Sequence, residues 1–162
     1  METHKEHMHH DHKGHYGKFL AMMIVSFIAM YFLMYAMVDS IDNVIHNVNQ
    51  VYMALLMTAA MAIIELIVMR KMYKNKKLNR AILLSGVLIL AGSFFFIRKQ
   101  TGVSDSQFLK SMIPHHAAAV LMVRETPLHD PEIQKLANSI ITSQQKEIDF
   151  MKEKLKQMEN WE

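Results

Sequence analysis

Over the first hundred residues the hydrophobic positions come in long blocks, and those blocks predict three long helices. Residues 19–38 carry no charge. At about 1.5 Å of rise per residue, such a run crosses a hydrocarbon layer about 30 Å thick. Residues 51–69 form a second apolar run, broken only by Glu65, and residues 81–97 a third, shorter one. The stretch "YAMVDS" closing the first run has no small-x-small cleavage pattern, so the run reads as an anchor that stays in place.

Charge then orients the three spans. Residues 70–80, "RKMYKNKKLNR", hold six Lys or Arg and no acid, whereas "DSIDNVIHNVNQ", residues 39–50, holds no Lys or Arg. Positive charge beside span ends marks the cytoplasmic side. The basic loop and the amino terminus are therefore expected on the cytoplasmic side of the membrane, and residues from about 98 onward on the far side. Lys5, Lys13 and Lys18 agree with this orientation, while Arg98 and Lys99 mildly oppose it. Basic residues beside spans call for anionic lipid, not nucleic acid.

After the third run the pattern becomes amphipathic and helical. Ser104 with Gln107 three positions on reads as a reciprocal capping box. Phe108, Met112, Ala119 and Met122 fall on one face of a helix that reaches about Arg124. Pro114 removes a backbone donor, which predicts a kink or a fresh helix start. "TPLHDPE" is the break, with Asp130 as cap and Pro131 in the first helical position. A second helix follows to about Met158, with Ile133, Leu136, Ile140, Gln144, Ile148, Met151, Leu155 and Met158 as its stripe. A helical hairpin of roughly sixty residues buries little surface by itself. A homodimer, two hairpins forming a four-helix bundle, is the expected remedy. The chain thus divides into a His-rich tail (1–18), an all-α membrane region (19–98) and a hairpin domain (99–162), expected to be extracytoplasmic.

Composition adds the chemistry. The 162 residues include no cysteine, 16 methionines and ten histidines, with a formal net charge of +3. Disulfides and thiolate metal sites are excluded. An enzyme is not expected, because no nucleophile–base pair, phosphate-cradling glycine loop or full carboxylate set is present. His4, His7, His9, His10, His12 and His15 make the tail a weak metal collector without apolar periodicity, expected to be irregular.

Two separated motifs carry a resemblance. "FLKSMIPHHAAAVLM" (108–122) and "DPEIQKLANSIITSQQKEIDFMKEKL" (130–155) are similar to a CopM-like bacterial domain-of-unknown-function family, number three hundred and five, in its membrane-anchored branch. The Met-x-Pro-His-His pattern is met by Met112, Pro114, His115 and His116. The Gln-x-x-Glu-Ile-x-x-Met pattern is met by Gln144, Glu147, Ile148 and Met151. The resemblance spans about residues 104–157. It implies a ferritin-like helical bundle outside the cytoplasmic membrane, with copper binding in some members.

The spacing gives that implication a physical form. Met112 lies three residues before His115 and four before His116, and Met122 lies seven after His115. Gln144, Glu147 and Met151 share a face of the second helix. Pairing the two faces would gather nitrogen, oxygen and thioether donors. Thioether with imidazole suits copper, above all Cu(I), and sulfur of this kind cannot be lost to a disulfide. The same methionines also read as ordinary core residues.

Within the second run, Met53, Met57, Met61 and Glu65 recur every fourth residue, followed by Met69; Met23, Met30, Met34 and Met37 line the first. Glu65, a carboxylate within a span, is either functional or paired with the basic loop near Arg70. The expected function is a membrane-anchored metal-binding protein that captures or hands on copper outside the cytoplasm. The alternatives are a permease-like path along the methionines and a non-metal structural or oligomerisation module.

Overall fold

The computed structural model describes the backbone of residues 3–159 and the side chains of residues 14–158. Among the described residues every regular element is helical: α1 (Thr3–Leu33), α2 (Val48–Val68), α3 (Lys76–Lys99), α4 (Asp105–Glu125) and α5 (Pro131–Glu159), with short 3-10 helices at Met34–Met37 and Ile41–Asn43. The chain forms two compact units. One is Met1–Phe32 with Val51–Lys99; the other is Leu33–Gln50 with Gln100–Glu162.

Three helices are long and apolar enough to cross a membrane, at Gly14–Met37, Val48–Val68 and Lys76–Lys99, and the first unit holds most of each. Leu20, Val25, Ile64, Leu84 and Leu88 are exposed, a surface that hydrocarbon covers at no cost and water does not. Small residues fill the interior: Ala54, Ala59 and Ser93 are buried, and so is Gly86. A Cβ on Gly86 would stand 3.0 Å from Ile63 Cγ1, so only glycine lets α3 come this close to α2 without displacing that side chain. The third helix starts earlier than the apolar run because Asn75 Oδ1 accepts from the amides of Lys77 and Leu78, both at 3.1 Å. It ends where Gln100 enters the left-handed region at φ 51° and Gly102 follows at φ 74°.

The amino-terminal tract departs from expectation. Its backbone is helical from Thr3 and continuous with the first span, where an irregular tail was expected over residues 1–18. The tract contains Lys and Glu, which are good helix formers, and no proline. An adjoining apolar helix supplies the nucleus that short polar helices lack.

In the second unit α4 and α5 pack against each other, joined by residues 126–130. Ser104 Oγ accepts from the Gln107 amide at 3.4 Å, the expected cap. The reciprocal half of the box is absent, because Gln107 Oε1 accepts from the amide of Val48 at 3.0 Å instead. No fresh start occurs at Pro114: α4 runs through it, with buried Ile113 and Ala117 holding the helix on either side of the missing donor. Asp130 Oδ1 accepts from the amides of Glu132 and Ile133, at 2.8 and 3.1 Å, and Pro131 opens α5.

The core of this unit joins Ile113, Ala117 and Val120 of α4 to Ile148, Met151 and Leu155 of α5. Val38 and Ile45, from the segment between α1 and α2, pack on it. That segment is tied further by the Tyr35 hydroxyl donating to the Ile45 carbonyl at 2.9 Å and by Arg124 meeting Asp39 at 3.5 Å. The expected α5 stripe holds only in part. Ile133 and Leu136 are 50% and 60% exposed, and Ala137 is the buried residue of those turns. Heptad spacing identified a helix, but in its first turns the buried position is Ala137 rather than the stripe residues.

Candidate functional site

His116 sits on the face of α4 turned toward α5 and is only 7% exposed. Its position follows from the helix: the ring lies one turn beyond Met112, whose carbonyl is 3.0 Å from Nδ1. Nε2 lies 2.8 Å from Oε2 of Glu147 on α5. The ring is therefore held at both nitrogens, and both partners are acceptors. A ring protonated on both nitrogens satisfies both contacts; a neutral ring satisfies one. The Glu147 side chain is 55% exposed, so water reaches the pair from the α5 side.

The adjacent residue faces elsewhere, as the helical rotation requires. His115 is exposed, and its ring centroid stands 6.3 Å from that of His116 with the planes at 61°. Met151 is buried in the α4–α5 core and half-buried Met112 packs against the same core. Gln144 is half-buried, and Met122 is 54% exposed. Of the seven residues singled out on these helices, His116 and Glu147 touch directly. Met112 and Met151 share the hydrophobic core next to them. Among the described residues, no group of three or more His, Asp or Glu side chains is placed to hold a metal ion.

Sequence reasoning missed the role of the Met112 backbone. Its carbonyl addresses His116, and the four-residue spacing between the two was the available signal. The secondary histidines His4, His7, His9, His10 and His12 lie outside the described side chains, while His15 is half-buried.

On α2, Met53 is exposed, Met57 half-buried, and Met61 packs on a core of Phe19, Met23, Leu66 and Tyr73. Thr58 donates to the sulfur of Met30 at 3.7 Å. Glu65 reaches the basic loop, as one of the two sequence readings expected, but its partner there is the buried Tyr73, whose hydroxyl donates to Oε1 at 2.7 Å. Burial first, and then the Glu65 carboxylate, push the Tyr73 hydroxyl from 10.0 up to about 12.

Comparison with known proteins places this geometry in a family context. The family model described as Domain of unknown function (DUF305) matches residues 68–155, from the end of α2 through most of α5. The Uncharacterized protein L153 of Acanthamoeba polyphaga mimivirus is 36% identical over 102 residues, covering 62% of this chain and 65% of that protein. The chain thus spans about 65% of the length of the curated relative it matches. No solved structure matches the chain.

Proposed function

This chain belongs to the DUF305 family, and on that footing we propose that it is a membrane-anchored protein that captures or hands on copper outside the cytoplasm. In this reading the basic loop faces the cytoplasm of a bacterial cell. The α4–α5 pair then lies on the periplasmic side of the inner membrane. Two observations support that sidedness. The Lys and Arg of residues 70–80 have no counterpart in residues 39–50. Residues 33–50 and 100–162 also fall in one unit, as alternation of three spans requires.

The carrying observation is the His116–Glu147 contact across two helices. A ring oriented through Nδ1 by a carbonyl presents Nε2 as its ligating nitrogen, the usual arrangement around a metal-bound histidine. His116 Nε2 and the Glu147 carboxylate would hold the ion in place of their direct hydrogen bond. Met112 and Met151 supply thioethers in the adjoining core. Copper, when bound, accepts all three donor types, and the thioethers favour Cu(I).

The test is competition for Cu(I) between the full-length protein in detergent and a chromogenic chelator, repeated with Cu(II). His116→Ala should weaken affinity at least about ten-fold, the range seen when ligand shells are altered. His115→Ala should change it little. Unchanged affinity in His116→Ala sinks the site. Elemental analysis of a variant lacking residues 1–16 separates metal held by the tail from metal held by the helices.

A second reading is favoured by the core positions of Met112 and Met151 and by the protein contacts at both ring nitrogens. Here His116–Glu147 is a structural clasp, and the helix pair is half of a ferritin-like bundle completed by a second copy. Exposed Ile133, Leu136 and Phe150 would be covered in such a dimer. Under this reading His116→Ala lowers the melting temperature with no effect on copper. Crosslinking of the purified protein should then yield dimers.

A further inference from the structure

We propose that the turn between α2 and α3, together with the start of α3, is a preformed platform for the headgroups of anionic phospholipids, displayed by Arg70, Lys71, Lys74, Lys76, Lys77 and Arg80. All six side chains are exposed. No acidic residue occurs between Glu65 and Asp105 in the sequence, and Glu65 itself is taken by the Tyr73 hydroxyl. One carboxylate cannot balance six cations, so this stretch of chain keeps a large positive excess.

The backbone carrying these cations is fixed from below. Tyr73 is 3% exposed, with its ring 5.5 Å from Phe19 in an edge contact and 5.3 Å from Tyr16. The Tyr16 hydroxyl donates to Asn79 Oδ1 at 2.7 Å and accepts from the Asn75 amide at 3.1 Å. Asn79 Nδ2 donates to the Tyr73 carbonyl at 2.6 Å. Asn75 closes the start of α3 through the Lys77 and Leu78 amides. A turn locked in this way loses little backbone freedom on binding, so more of each charge contact appears as affinity.

Location decides which polyanion the platform meets. The turn connects two helices that are each apolar enough to cross a bilayer, so phosphate headgroups are its immediate neighbours. A soluble polyanion would have to displace them. The inference concerns the other unit from the copper reading and stands or falls without it.

The experiment is reconstitution of the full-length protein in nanodiscs of equimolar phosphatidylcholine and phosphatidylglycerol. Electron spin resonance of spin-labelled lipids then reads which lipid is immobilised at the protein. Phosphatidylglycerol should be enriched about five-fold, a modest return from several basic contacts. The variant Lys71→Gln, Lys74→Gln, Lys76→Gln, Lys77→Gln should lose the enrichment while circular dichroism shows its helices intact. Asn79→Ala keeps every charge but frees the turn, and should reduce the enrichment about two-fold. The proposal is overturned if the unaltered protein shows no enrichment, or if the quadruple variant retains it. Unchanged enrichment in Asn79→Ala would refute the preformed character. Loss of enrichment on adding short duplex DNA would assign the patch to a soluble polyanion and overturn the lipid assignment.

Discussion

Nε2 of His116 and Oε2 of Glu147 lie 2.8 Å apart across the α4–α5 contact, with the Met112 carbonyl on the far side of the same ring. The ring is nearly buried and its carboxylate partner half-exposed, and this asymmetry sets different costs for losing each. Glu147→Gln keeps the size of the side chain and an acceptor oxygen, so stability should fall by about 1 kcal/mol or less. His116→Ala empties a packed position and leaves the Met112 carbonyl without its ring partner, and should cost roughly 2 kcal/mol. Thermal unfolding of the full-length protein in detergent, followed by circular dichroism, measures both. Equal losses would show that burial does not separate the two partners.

Tyr73 predicts a late alkaline transition. The chain has five tyrosines, and the Tyr73 hydroxyl is raised from 10.0 to about 12. A raised pKa means the folded state holds the proton more tightly. Its contribution is fully present below pH 10 and is lost as pH climbs from 10 through about 12. Absorbance near the tyrosinate band should show a late phase near pH 12, and Tyr73→Phe should remove that phase. If the late phase survives in Tyr73→Phe, the assignment to this residue fails.

The α5 face can be mapped by a contrasting pair of substitutions. Ile148 is fully buried, so Ile148→Ala should destabilise the α4–α5 unit by about 2–4 kcal/mol. Leu136 is 60% exposed, and Leu136→Ala should lie within about 0.5 kcal/mol of the parent. Denaturant midpoints of both variants provide the comparison. A large loss at Leu136 would mean that something covers it in solution.

Gly86 predicts a packing defect in the other unit. Any side chain there meets Ile63 at 3.0 Å or less, and Leu demands more room than Ile63 can yield. Gly86→Leu should lower the melting temperature of the detergent-solubilised protein and increase protease cleavage, whereas Gly92→Leu should be tolerated, since a Cβ there meets nothing within 4 Å. Identical behaviour of the two variants would contradict the close α2–α3 approach.

What could be read from the sequence was local. The three apolar helices, the Ser104 cap, the Asp130–Pro131 start and the break before it all depend on residues within a few positions of one another. What could not be read was tertiary choice. Gln107 had a nearby amide to serve and serves Val48, 59 positions away, because folding brought that amide within reach. Glu65 had a cation five positions on, but Tyr73 was better placed. His115 and His116 are equivalent in the sequence, and only the docking of α5 decides that His116 is enclosed while His115 faces out. The spacing of Ile133 and Leu136 signalled a helix without fixing the rotation at which α4 would receive it.

Val38 and Ile45 belong to the same hydrophobic core as Ile113 and Ile148, although the chain makes two complete helices between Ile45 and α4. That discontinuity fixes an order of biogenesis. While a ribosome is still producing α2 and α3, the segment between α1 and α2 has been synthesised but its apolar side chains have nothing to cover them. Closure waits for the last third of the polypeptide to emerge, which makes this stage the moment of greatest exposure to chaperones and quality-control proteases.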